Sequence, residues 1–149
     1  MKIQTVGIIG AGQMGSGIAH VCALAGYDVL LTDVSQDALT AAQETIRGNM
    51  DRQVSRKKIT EADRDAALER IGRTATLTDL GKSDLVIEAA TEREAVKDAI
   101  FKELVPALKP DTILTTNTSS ISITRLASKT DRPEKFMGFH FMNPVPIMS

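Results

Sequence analysis

Apolar positions along this chain follow two rhythms. Short runs rich in β-branched residues alternate with longer stretches in which apolar residues recur every three or four positions. "IQTVGIIG" (Ile3 to Gly10) ends in glycine and predicts a buried strand. Residues about 14–26 read as a helix of small residues closed by Gly26. "YDVLLTD" predicts a second strand, and Ser35 is placed to cap a long helix running to about Lys58. "TEAD" (Thr60 to Asp63) has capping-box spacing and opens a third helix that ends near Gly72. "RTATL" (Arg73 to Leu77) is a weak strand and "SDLVIEAA" a strong one. "TERE" (Thr91 to Glu94) is a second capping box, and its helix runs toward Lys109 with Pro106 predicting a kink or an early end. "TILTTNTSS" predicts a strand, "ISITRLASKT" a short helix, and "KFMGFHFMNP" a last strand.

Strands alternating with helices predict an α/β fold with a doubly wound, mainly parallel sheet in three layers, a Rossmann architecture. At 149 residues the chain is long enough for one domain with a full core, and no linker or internal repeat divides it. Composition narrows the function classes. The net charge of −1 gives no electrostatic reason to expect nucleic acid or a membrane as partner. Aromatic residues are only 3% of the chain, too few for a base-stacking platform. The single Cys22 excludes an internal disulfide framework and a cysteine-rich metal site, so no metal is expected and a reduced, cytoplasmic setting fits. The apolar N-terminus is interrupted by Gln4, Gln13, His20 and glycines, which argues against a secretory signal.

The first candidate chemistry is Gly10-Ala11-Gly12-Gln13-Met14-Gly15, a G-x-G-x-x-G loop between a predicted strand and a predicted helix. Gly10 permits the tight turn. Gly12 lets a pyrophosphate approach the backbone, and Gly15 lets helix and strand pack closely. The amides of Gln13 and Met14 open the helix, where free N–H groups and partial positive charge favour phosphate. Asp33 closes the second strand, 18 residues beyond Gly15. A carboxylate there accepts from a ribose 2′-hydroxyl and repels a 2′-phosphate, favouring NAD over NADP. Gly7, Gly17 and Gly26 read as packing and capping positions.

Ligands of doubly wound sheets sit at the C-terminal ends of the strands. Three groups lie there: Glu88 to Glu92, Asn117 to Ser120, and His140 to Asn143. Strand alternation puts Gly138, His140 and Met142 on one face and Phe139 and Phe141 on the other. An imidazole at such an edge can take the proton of a hydroxyl while hydride leaves for a cofactor. His20, inside the first helix, reads as structural or partly exposed, and Cys22 as a small hydrophobe.

Together, "GIIGAGQMGSGIA", "TNTSS" and "GFHFMNPVPIM" resemble the 3-hydroxyacyl-CoA dehydrogenase family, closest to its bacterial 3-hydroxybutyryl-CoA branch, over essentially the whole chain. The resemblance implies NAD-dependent oxidation of an (S)-3-hydroxyacyl-CoA to the 3-ketoacyl-CoA, and the reverse. It implies His140 as catalytic base, Ser119 orienting the reacting oxygen, and Asn117 beside both nicotinamide and substrate. Glu92 and Lys97 match family positions that touch the cofactor, although a solvated charge is the other reading of Lys97. Asn49, Arg52 and Arg56 lie in the region that resembles the family's CoA contact, where surface solvation is again the alternative. The family also carries a Glu that pairs with the histidine, at a position beyond Ser149, and an all-helical C-terminal domain that closes the cleft and forms a homodimer. Residues 1–149 are therefore expected to be the NAD-binding domain without that helical part, binding NAD with little turnover of acyl-CoA. Two alternatives share the glycine loop: a sugar-acid dehydrogenase of the gulonate type, and an NAD-binding module in which His140 is idle.

Overall fold

The computed structural model describes residues 3–89, 94–110, 112–116 and 136–138. Its strands are β1 (Thr5–Ile9), β2 (Asp28–Thr32), β3 (Ile71–Thr74), β4 (Leu85–Glu88), β5 (Ile113–Thr116) and β6 (Phe136–Gly138). The helices are α1 (Gln13–Leu24), α2 (Gln36–Ser55), α3 (Glu61–Arg70) and α4 (Glu94–Leu104). The strands form one sheet in the order β3-β2-β1-β4-β5-β6, every pairing parallel. The order reverses between β1 and β4, which is the switch point of a doubly wound fold. The Rossmann expectation holds.

Strand alternation sends side chains to two cores, one on each face of the sheet. Val6, Ile8, Val29, Leu31 and Ile87 meet Ile18, Ala19 and Ala23 of α1, Leu39, Ala42, Ile46 and Met50 of α2, and Ala67 of α3. Ile9, Val86 and Leu114 face the other way, onto Leu80, Phe101, Leu104 and Leu108. Each of these large side chains contributes about 1.5–3 kcal/mol by leaving water. Two cores on opposite faces make the three layers.

Local sequence explains the helices. Leu39, Ala42, Ile46 and Met50 recur at helical spacing and are the buried residues of α2. The Ser35 side chain accepts from the Ala38 amide to start it. Thr60 and Asp63 complete the expected capping box of α3, each side chain accepting from the other's backbone N–H. Pro106 does end α4 early: the helix stops at Leu104 and a single 3₁₀ turn, Val105–Ala107, follows. At the end of the sheet away from the glycine loop, Asp84 accepts from the Gln4 and Thr5 amides and pairs with Lys109. This joins the N-terminal ends of β1 and β4 to the segment before β5.

Two expectations need correction. α2 ends at Ser55, not near Lys58. The third strand is Ile71–Thr74 rather than Arg73–Leu77, because pairing with β2 starts at Val29 with Ile71, whose side chain packs on the first core. Leu77 instead opens a 3₁₀ helix, Leu77–Lys82, and packs on the second core. Of the two readings of His20, structural or partly exposed, the structural one holds: it is 1% exposed. Its Nε2 lies 2.6 Å from Gln53 Oε1, joining α1 to α2, and its Nδ1 is buried with no hydrogen-bond partner among the described residues. Burial holds the ring below its ordinary pKa, and the Gln53 contact opposes that only in part. Burial likewise pushes the Cys22 thiol up to about 11, in keeping with an inert packing residue. Among the described residues, no helix is long and apolar enough to cross a membrane.

Candidate cofactor site

β1 delivers the glycine loop to the C-terminal edge of the sheet. Gly10 has φ 105°, a left-handed conformation that suits glycine. Its amide donates to the Thr32 carbonyl at 2.8 Å, so the turn is tied to the end of β2. A Cβ on Gly15 would lie 1.6 Å from the Gly10 carbonyl oxygen, which leaves no room for any side chain where α1 crosses the loop. Gly12 is different. It has ordinary extended backbone (φ −75°, ψ −164°), and a Cβ there would meet nothing within 4 Å. Its Cα faces open space, as a position against which a ligand packs must. Gly12 is the N-cap of α1 and offers no side-chain acceptor. The amides of Gly12, Gln13, Met14 and Gly15 have no acceptor among the described residues. The fit to a pyrophosphate is thus geometric: a bare Cα, unpaired donors, and the positive end of a 12-residue helix.

Asp33 stands where the sequence places it, directly after β2, and the structure adds a role. One carboxylate oxygen accepts from the Ala11 amide at 2.9 Å and the other from the Ser35 amide at 2.9 Å. The acid therefore braces the glycine loop against the start of α2. Each oxygen keeps a second lone pair for a ribose hydroxyl. Sequence reasoning missed this bracing, because nothing in the spacing of Ala11 and Asp33 reports that they touch.

An open cleft of about 500 Å³ leads away from Gly10 and Asp33. β2 and its exit contribute Thr32, Asp33 and Val34, and the loop after β3 contributes Ala75, Thr76 and Leu77. α4 forms the facing wall with Val96, Ala99, Ile100 and Glu103. Val34 is 95% exposed. Val34 and Val96 are two of the three exposed large hydrophobics among the described residues, and both line this cleft.

The remaining expected site residues divide as follows. Glu88 closes β4 and is fully buried, so it belongs to the sheet interior rather than to the cleft surface. β5 and β6 end side by side, with Thr116 paired to Gly138, at the same sheet edge as Gly10 and Asp33. Asn117, Ser119 and His140 follow those two ends in the sequence and, like Glu92, lie outside the described residues. Lys97 is placed within α4 by its backbone alone. Arg52 donates to Asn49 one turn back on the exposed C-terminal part of α2, and Arg56 follows as its C-cap. None of these three lines the cleft. Among the described residues, no group of His, Cys, Asp or Glu could hold a metal ion.

Known proteins share both the sequence and this architecture. The family model described as 3-hydroxyacyl-CoA dehydrogenase, NAD binding domain, matches residues 5–149. A 3-hydroxybutyryl-CoA dehydrogenase of Bradyrhizobium diazoefficiens is 60% identical over 98% of this chain and 50% of its own length. A 3-hydroxyadipyl-CoA dehydrogenase of Escherichia coli is 46% identical over 99% of this chain and 31% of its own length. The crystal structure of (S)-3-hydroxybutyryl-CoA dehydrogenase PaaH1 from Ralstonia eutropha superposes with a TM-score of 0.94 at 45% identity, covering 98% of this chain and 52% of that one. The chain spans about half the length, or less, of these relatives.

Proposed function

This chain belongs to the 3-hydroxyacyl-CoA dehydrogenase NAD-binding domain family, and from that premise we propose that it serves the oxidation of an (S)-3-hydroxyacyl-CoA to the 3-ketoacyl-CoA, and the reverse reduction. NAD is the family's cofactor and supplies the hydride acceptor. The chain's own residues do the rest. The α1 amides hold the pyrophosphate, Gly12 gives it room, and Asp33 takes the adenosine ribose. His140 removes the proton of the substrate's 3-hydroxyl, Ser119 donates to that oxygen and orients it, and Asn117 positions the nicotinamide side. Glu92 and Lys97 complete the cofactor contacts. The relatives' names differ in acyl group, butyryl in one and adipyl in another, so the proposed substrate is the 3-hydroxyacyl-CoA class with 3-hydroxybutyryl-CoA as its first candidate.

The observation that carries this reading is the convergence at one sheet edge. Unpaired α1 amides, the open side of Gly12 and the Asp33 carboxylate meet beside the ends of the two strands that lead to Asn117 and His140. The test supplies (S)-3-hydroxybutyryl-CoA or gulonate with NAD to this polypeptide, with the C-terminal half of the Bradyrhizobium relative added in trans. We expect NADH to form with the acyl-CoA, not with gulonate, and to fall by about a thousandfold or more in His140→Ala. Turnover of gulonate alone, or acyl-CoA oxidation indifferent to His140→Ala, would overturn the assignment.

A further inference from the structure

The cleft beyond Asp33 has a polar feature that the cofactor's ribose and phosphates leave unused. α4 presents Val96, Ala99, Ile100 and Glu103 to it, a stripe at i, i+3, i+4 and i+7. Three positions are apolar and the fourth is a carboxylate. Seven residues of helix separate Val96 from Glu103, about 10 Å of rise. The cleft is therefore elongated along α4. No described residue gives Glu103 a hydrogen bond or an ion pair. Glu103 is exposed to solvent and stands on the helix face that lines the cleft.

The cleft thus carries two groups that can only accept hydrogen bonds, Asp33 on the β2 wall and Glu103 on the α4 wall. The rest of the lining is mostly aliphatic, with Val34, Val96 and Ile100 among it. Adenosine has the matching chemistry: hydroxyl donors on the ribose, a flat ring, and an amine donor at its far edge. Thr76 also lines the cleft, but a hydroxyl both donates and accepts, so it cannot discriminate between donors and acceptors on a base.

Resting on the assignment of this cleft to NAD, we propose that Glu103 is a specificity-determining residue for the base, accepting from the exocyclic amine of adenine and rejecting a purine that carries an oxygen there. An oxo group would set its lone pairs against those of the carboxylate, and the donor that replaces the amine, N1–H, lies one ring position away from it. Discrimination by charge-assisted hydrogen bonding then amounts to about tenfold in affinity.

The test titrates NADH and its hypoxanthine analogue, in which the 6-amino group is replaced by oxygen, into the wild-type chain, Glu103→Ala, Glu103→Gln and Asp33→Asn. The wild type should bind NADH about tenfold more tightly than the analogue. Glu103→Ala should bring the ratio near one, by weakening NADH and by relieving the opposition to the oxo group of the analogue. Glu103→Gln, whose amide can donate to the oxo group, should strengthen the analogue. Asp33→Asn should weaken both dinucleotides and leave their ratio as in the wild type. A ratio unchanged by both Glu103 substitutions, with circular dichroism confirming the fold, overturns the assignment of Glu103 while leaving the cleft as the NAD site. Failure of the wild type to bind either dinucleotide overturns both.

Discussion

At Gly12 a methyl group would meet nothing within 4 Å, and at Gly15 it would lie 1.6 Å from a carbonyl oxygen. One substitution at two neighbouring positions therefore separates binding from folding. Gly12→Ala has permitted backbone and free space, so stability should change by no more than about 0.5 kcal/mol. Its new methyl occupies the approach of the pyrophosphate, and NADH affinity should fall at least about tenfold. Gly15→Ala forces the loop off the helix and should destabilise by about 2 kcal/mol or more, with binding lost as a consequence. Urea melts beside NADH titrations check both, and a Gly12→Ala protein that binds normally would refute the placing of the pyrophosphate. The open side of Gly12 and the close packing at Gly15 were legible in the sequence because a backbone requirement leaves a residue-type signature. The bracing of Ala11 by Asp33 was not, since it depends on where β2 ends relative to the loop. Nor was the burial of His20, whose contact with Gln53 spans 33 positions of sequence.

Elements are joined at two titratable groups, and each gives stability its own pH dependence. The hydrogen bond from Lys109, then those from the Gln4 and Thr5 amides, hold the Asp84 carboxyl at about 2 against an ordinary 3.8. A depressed carboxyl stabilises the fold above its unfolded pKa. That contribution is complete above about pH 4 and is lost as pH falls through about 2. Asp84→Asn should thus be less stable at neutral pH and converge on the wild type toward pH 2 in acid-unfolding curves. Curves that stay parallel would show that the Asp84 cluster does not join these elements. His20 works differently. Burial disfavours its charged form, so the unfolded chain binds the proton more readily. Stability should be level above about pH 6.5 and decline as pH falls below it. In His20→Gln that decline should shrink, as melting temperatures across pH 5 to 8 would reveal; an unchanged profile would assign the decline to other groups. At this scale the short helix expected at "ISITRLASKT" and the Thr91 cap of "TERE" lie outside the described residues, while the order of the described strands and helices was readable from alternation and from the caps at Ser35 and Thr60. The boundaries of β3 were not, because register with β2, not local propensity, selects Ile71–Thr74.

Across the whole molecule, binding and chemistry draw on different parts of the fold. Every feature that fits the pyrophosphate and adenosine lies on β1, α1, β2, α4 and the loop after β3, and each is held by contacts within the described residues. The two cores that support those elements are likewise internal to this chain. The chemistry proposed for His140 asks for more. An imidazole that takes a proton needs a partner to hold its tautomer and to stabilise the imidazolium, and loss of such a partner costs about 10⁴ in kcat in triad enzymes. The relatives that perform the reaction are about twice as long as this chain, or longer. A polypeptide of residues 1–149 should therefore bind NADH about as tightly as the Bradyrhizobium relative does, within about threefold. It should reduce acetoacetyl-CoA at least about a thousandfold more slowly. Fluorescence titration and steady-state oxidation of NADH on the same two preparations make the comparison. Near-equal turnover would mean that the catalytic constellation is complete within these residues. Weak NADH binding by a folded chain would mean that the cofactor site itself draws on the other half of the relatives. The expected outcome, full binding with little turnover, is what a fold yields when its cradle is built from backbone within one sheet and its proton chemistry is shared with a second part.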